Sequence, residues 1–363
     1  MIRVFVVDDS AFARKATAKV LAAEAGVRVV GEAASGAEAL ALIPRVRPDL
    51  VTLDLDMPGM NGLAVLKRLR QGDPALPVVM LSAHTREGAE ATIEALAAGA
   101  ADFVDKSRFG LMDLDGFGRE LREKVKVLAR PGRRPDGQTV GRSPGRPAGR
   151  AGAAEGRDTP ETPAGWPSDR LTVDLCVIGA STGGPAALQQ LLEGLPGDFP
   201  LPIAIVQHMP PGFTLPFATR LNAHCRLRVG EAGDGERLAP GRVVIAPAGI
   251  HLRVTDSLSV VLSREPAHAR HVPSVDVLMH SAARARPGRV LGVLLTGMGD
   301  DGADGMAAIR TGGGVTIAES EETCVVYGMP RAAVQRAAAA HVLPLPAIGR
   351  WLASLRAESP GAV

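Results

Sequence analysis

Aromatic side chains are scarce in this chain: eight Phe, two Trp and one Tyr make up 3% of 363 residues. Its cores must therefore be filled by aliphatic residues and alanine, which the 46% hydrophobic content can supply. Cysteine is equally thin. Cys176, Cys225 and Cys324 stand far apart in no CxxC or metal-like spacing, which argues against a disulfide framework and for buried, reduced thiols. No uncharged apolar run reaches the roughly 18 residues of a membrane span, and Asp8 and Asp9 interrupt the start of the chain where a signal peptide needs apolar residues. Excess charge is absent too: a net +2 gives no push toward nucleic acid or an acidic membrane. Together these absences predict a cytoplasmic protein with no membrane insertion and no nucleic-acid partner.

What is present is a repeating α/β pattern. A chain of this length predicts two domains, or three. Residues 2–128 alternate strand-like stretches at 2–7, 27–30, 50–53, 78–81 and 102–104 with helical ones at 11–23, 37–43, 63–70, 89–98 and 117–128. Such alternation predicts a doubly wound parallel sheet, whose ligands sit at the carboxyl ends of the strands. Polar residues fall at those ends: Asp8 and Asp9 after the first strand, Asp54 after the third, Ser82 after the fourth and Lys106 after the fifth. Three carboxylates in one crevice repel each other unless a hard divalent cation neutralises them, and Mg2+ suits an all-oxygen site. The lysine and the hydroxyl beside them can bind the oxygens of a phosphoryl group carried on a carboxylate.

From Arg130 to Arg170 proline, glycine and arginine dominate, and Trp166 is the only large hydrophobe. Such a segment buries too little surface to offset its ordering entropy, which predicts a flexible tether. A second reading of its arginine-rich first part is electrostatic contact with an acidic partner or a lipid surface. The expected division is 1–128, a linker at 129–170, and a second domain at 171–357.

The second domain opens on VDLCVIGASTGGP, Val173 to Pro185: a buried strand, a glycine turn carrying Ser181, and a helix begun by proline. Gly179-Ala180-Ser181-Thr182-Gly183 satisfies the G-x-S-x-G elbow pattern. A second strand at 202–206 ends at Gln207-His208, and the most apolar one, 290–295, runs into TGMGDDGADGM with Asp300 and Asp301. A strand at 242–247, a hairpin at 252–262, a helix at 275–285 and a strand at 314–318 complete a mostly parallel α/β unit. A hydroxyl, an imidazole and a carboxylate thus share one sheet edge. Serine is a weak nucleophile until a hydrogen-bonded base takes its proton, and the base needs a carboxylate to hold its tautomer. Backbone N–H groups of Thr182 and Met298 are candidate oxyanion donors. From the residues alone either Asp300 or Asp301 can serve as the acid, with Asp304 farther into the next helix. His251 also sits near a strand end, while His268, His271 and His280 lie in polar or helical contexts. Dinucleotide binding is a rival for a strand, glycine turn and helix. It fits poorly, because Ser181 occupies the second glycine position and the second strand ends in Gln207-His208 rather than an acid.

Several long motifs are specific enough to carry a resemblance. VVDDS, LDLDMPGMNG and DFVDKS resemble the signature set of two-component receiver domains. By that resemblance the metal ligands are Asp9, Asp54 and the carbonyl of Asp56, with Asp8 nearby, and the phosphoacceptor is Asp54. The switch pair is Ser82 and Phe103, although Phe cannot make the hydrogen bond that Tyr makes there. GASTGG, QHMPPGFT, RHVPSVDVL, LLTGMGDDGADGM and CVVYGMPR resemble the catalytic domain of the CheB family of chemotaxis protein-glutamate methylesterases. The fold this implies is a flavodoxin-like receiver plus a Rossmann-like methylesterase domain. The nucleophile becomes Ser181, the base His208 and the acid Asp301, with Asp300 standing where the family has Asn. The family implies hydrolysis of glutamyl methyl esters on methyl-accepting chemoreceptors, deamidation of receptor glutamines, and a receiver that covers the site until a chemotaxis histidine kinase phosphorylates Asp54. It implies Mg2+ in the receiver and no cofactor for the ester chemistry. Two alternatives stand beside it: a non-catalytic signalling output, and the same esterase serving another chemosensory pathway. A DNA-binding output lacks a compact basic helix-turn-helix unit in residues 171–350.

Overall fold

The structure, a computed structural model, describes residues 1–82, 85–106, 114–129 and 173–355. The tether expected at 129–170 lies outside the described residues except for Ala129, as does the end of the second domain at 357.

The first sheet is five-stranded and parallel, in the order β2-β1-β3-β4-β5. Its strands are β1 (Ile2–Val7), β2 (Val27–Ala33), β3 (Leu50–Asp54), β4 (Val78–Ser82) and β5 (Asp102–Asp105). Helices α1 (Ala11–Ala22), α2 (Gly36–Val46), α3 (Gly62–Gly72), α4 (Arg86–Ala97) and α5 (Leu114–Leu128) alternate with them. Every residue of β3, β4 and β5 is buried, as expected for a sheet covered on both faces, where strands read as continuous apolar runs. Side-chain caps start the helices: Ser10 accepts from Ala13 N, and Asn61 from Ala64 N.

The second sheet has seven parallel strands in the order β14-β13-β12-β6-β7-β9-β8. They are β6 (Leu175–Ala180), β7 (Ile203–Gln207), β8 (Arg228–Glu231), β9 (Arg242–Ile245), β12 (Val290–Leu294), β13 (Val315–Glu319) and β14 (His341–Leu343). β10 (His251–Val254) and β11 (Val260–Ser263) form the expected antiparallel hairpin. The helices are α6 (Gly184–Glu193), α7 (Thr214–His224), α8 (Val275–Ala285), α9 (Ala303–Thr311), α10 (Met329–Gln335) and α11 (Leu345–Ser354). Strand order reverses at β1/β3 in the first sheet and at β6/β12 in the second. These switch points open the crevices where ligands of such sheets bind. Asp8 and Asp54 end up at one, Ser181 and Asp301 at the other.

The apolar cores meet. One buried cluster runs from Phe5, Val51 and Met80 through Phe103 into Phe213, Ile178 and Ile205. The α/β architecture of two mostly parallel units matches the expectation. No helix among the described residues is long and apolar enough to cross a membrane.

Candidate active site

Ser181 leaves the buried strand β6 at a turn whose backbone is tied to two other segments. Its N–H donates to the Thr296 carbonyl at 3.0 Å, and its own carbonyl accepts from Gln207 Nε2 at 2.9 Å. Thr296 Oγ1 donates to the Thr182 carbonyl at 2.9 Å, while fully buried Glu319 accepts the Thr296 N–H at 2.8 Å. Gly183 has φ +79°, and a Cβ there would lie 2.5 Å from Val325 Cβ. Only glycine fits that corner.

His208 follows β7, and the pairing of Ala180 with Gln207 sets it beside the Ser181 turn. Its Nε2 lies 2.8 Å from Asp301 Oδ2. Nδ1 is buried without a hydrogen-bond partner among the described residues, which leaves it as the ring nitrogen available to the serine. The two rings of His208 and His271 stack at 4.3 Å. Burial, reinforced by the charge of His208, pushes the His271 imidazole down to about 4, so it stays neutral.

Asp301 is 8% exposed. Besides His208 it accepts from Ser274 Oγ at 2.8 Å, Val275 N at 2.8 Å and Asp276 N at 3.0 Å, at the N-terminus of α8. Burial pushes its carboxyl up, but the His208 bond and charge and the backbone donors outweigh it and hold it far below the usual carboxylate range. Asp300 instead is exposed and pairs with Arg336 at 3.0 Å, next to the Arg336–Asp304 pair at 3.2 Å. Of the two neighbouring aspartates, Asp301 is therefore the one on the imidazole. Sequence reasoning passed over Ser274 and gave His271 no role. The signal for Ser274 was a serine before an apolar helical stretch, the pattern of an N-cap.

At the other crevice, carboxylate oxygens of Asp8, Asp9 and Asp54 lie within 4.8 Å of one another. Lys106 Nζ reaches Asp54 Oδ1 at 2.8 Å and Asp8 Oδ2 at 2.9 Å. Burial raises the Asp54 carboxyl to about 6 against the opposing Lys106 contact. Three clustered hard-oxygen donors, two of them buried, fit a divalent cation such as Mg2+. Asp56 is exposed. Ser82 Oγ is buried and donates to the Gly88 carbonyl of α4 at 3.3 Å.

The first unit contacts three loops of the second site. Thr182 Oγ1 donates to Asp102 Oδ2 at 2.7 Å. The rings of Phe103 and Phe213 lie 4.6 Å apart. Met298 and Val326 pack against the cluster containing Val104, Phe117 and Leu121. Helix α4 packs on α6 and α7.

Fold and site together define a response regulator in which an α/β domain with an acidic crevice sits on a second α/β domain with a Ser, His and Asp edge. Residues 4–113 match the response regulator receiver domain, and residues 176–352 match the CheB methylesterase family. The chain is 44% identical to a protein of Oleidesulfovibrio alaskensis named protein-glutamate methylesterase/protein-glutamine glutaminase 1, over 95% of this chain and 96% of that one. A protein of Archaeoglobus fulgidus named protein-glutamate methylesterase/protein-glutamine glutaminase is 43% identical over 95% of each chain. The solved CheB methylesterase catalytic domain of Thermotoga maritima is 41% identical over 50% of this chain and 97% of that one, with a TM-score of 0.49. The chain belongs to the protein-glutamate methylesterase/protein-glutamine glutaminase family.

Proposed function

We propose that this protein is a phosphorylation-activated serine hydrolase that demethylates glutamate methyl esters on chemoreceptors and deamidates receptor glutamines. The observation that carries the reading is the 2.8 Å contact of His208 Nε2 with Asp301 Oδ2 on the sheet edge that also bears Ser181. Ser181 Oγ attacks the side-chain carbonyl carbon as His208 Nδ1 takes its proton, and Asp301 holds the Nε2–H and stabilises the imidazolium. The developing oxyanion is held by the N–H groups of Thr182 and Met298; one such donor contributes about 3 kcal/mol. Collapse breaks the ester C–O bond, and His208 returns the proton to the leaving oxygen, giving methanol. Water then attacks the acyl-enzyme by the same base, releasing glutamate and restoring Ser181. With glutamine the leaving group is ammonia.

Asp54 is the phosphoacceptor, and a chemotaxis histidine kinase is the donor. Asp9, Asp54 and the Asp56 carbonyl would hold Mg2+, with Asp8 beside them, and the bound ion would supply charge neutralisation for phosphoryl oxygens. Lys106 and Ser82 bind those oxygens as well. When Ser82 turns to a phosphoryl group it gives up the Gly88 carbonyl, and α4, which packs on α6 and α7, loses that anchor. Residues 1–128 act as the receiver, 129–170 as a tether and 171–357 as the catalytic domain. Three free cysteines suit the reducing cytoplasm. Methanol release from methylated receptor membranes tests the reading. Ser181→Ala is expected to abolish it, and release at the wild-type rate would sink the assignment.

A further inference from the structure

Asp301 owes its position to more than His208. Three free N–H groups at the start of α8 are shared between two residues. Asp301 takes those of Val275 and Asp276, and Ser274 Oγ takes that of Val277 at 3.3 Å. An N-cap serine needs only to accept. Here its single hydroxyl proton is committed as well, to Asp301 Oδ1 at 2.8 Å. The Ser274 backbone is pinned from behind, its N–H donating to Nδ1 of fully buried His251 at 3.1 Å. His251 Nε2 in turn carries its proton and lies 3.3 Å from the Pro266 carbonyl. The cap thus joins the β10–β11 hairpin, which begins at His251, to the carboxylate that faces the imidazole.

We infer that Ser274 is a positioning residue for acyl transfer: its hydroxyl fixes one oxygen of Asp301 so that the other meets His208, and His251 holds Ser274 in place. The inference rests on the proposed role of Asp301. An ordinary cap would stabilise α8 and nothing more. The two roles separate cleanly, because glycine at an N-cap costs only a few tenths of a kcal/mol of helix stability yet carries no hydroxyl. The Asp301 carboxylate then loses one donor and swings away from the productive geometry, and small misplacements of catalytic groups cost one to two powers of ten in rate.

The test is steady-state methanol release by the full-length protein, with the active-site concentration taken from the burst. Ser274→Gly is expected to lower kcat about tenfold with KM unchanged and thermal stability close to wild type. Ser274→Thr, which restores the hydroxyl, is expected to recover kcat. Wild-type kcat in Ser274→Gly, or an equal loss in Ser274→Thr, overturns the inference. Should Ser274→Gly fold poorly, Ser274→Ala and Ser274→Thr are compared by kcat per burst-titrated active site, which a loss of folded protein does not move: wild-type kcat in Ser274→Ala, or an equal loss in both, overturns the inference. Asp301→Asn measured in parallel keeps the two failures apart: if it retains activity, the underlying role of Asp301 is wrong, whatever Ser274 does.

Discussion

Thr182, the residue after the proposed nucleophile Ser181, donates its hydroxyl to Asp102 of the receiver across the domain boundary at 2.7 Å. Both residues are buried. Asp102 sits on β5 beside Phe103, and Lys124 balances its charge at 3.1 Å. The bond places a receiver carboxylate against the turn that carries Ser181 and a candidate oxyanion donor. Phe103 on Phe213 and the packing of Met298 extend the same contact to the His208 and Asp301 loops. On the proposed function a protein substrate has to displace all three, and phosphorylation that loosens this face would expose the whole edge at once.

Asp102→Ala removes the charged member of that bond. A hydrogen bond to a charged group contributes roughly 1.5–3 kcal/mol net, so basal methanol release by the unphosphorylated protein is expected to rise about tenfold. The stimulation produced by a phosphodonor should shrink correspondingly. An unchanged basal rate would show that the bond does not restrain the catalytic face.

Asp300 and Asp301 are neighbours with opposite fates, and the two amide variants should behave oppositely. Asp301→Asn leaves His208 with an uncharged partner and the wrong tautomer, which lowers kcat by about 10²–10⁴-fold. Asp300→Asn breaks only an exposed pair with Arg336, and its rate should stay within about twofold of wild type. Comparison of the two kcat values decides, and a reversed order would move the acid to Asp300.

Asp276 supplies a pH signature. Burial, with the nearby Asp301 and Asp304 charges, pushes its carboxyl up to about 6 against the opposing Gly305 N–H bond. A carboxyl raised in the fold binds its proton more tightly there than in the unfolded chain. Stability therefore falls as pH rises from the unfolded value of 3.8 through about 6, and the penalty is complete above that. Asp276→Asn, whose amide oxygen can still accept from Gly305, is expected to stabilise the catalytic domain by about 1 kcal/mol near pH 7.5, the shift being discounted because the site is only partly buried. The gain should vanish near pH 4. Urea titrations of both proteins at the two pH values measure it, and an equal gain at both would rule out Asp276 ionisation as the cause.

Much of the architecture was legible locally. Apolar runs ending in polar residues located twelve of the fourteen strands among the described residues, because period and burial are properties of short segments. β8 and β14 escaped notice, being four and three residues long with exposed or half-buried positions. α10 and α11 escaped with them. In the candidate site, Ser181 and His208 stood out because each follows a continuous apolar strand. Ser274 did not, since its chemistry depends on a carboxylate 27 residues away.

By itself the sequence determined that two parallel α/β units exist and that acidic residues cluster at one sheet edge and Ser, His and Asp at another. It also carried the family. Only the tertiary structure decided between adjacent aspartates. Neighbouring residues in a loop point in different directions, and the N-terminus of α8 supplies the donors that draw Asp301, not Asp300, inward. The same holds for the Thr182–Asp102 bond, whose partners lie 80 residues apart. Long-range contacts of this kind leave no periodicity to read, because they arise where separately folded elements meet.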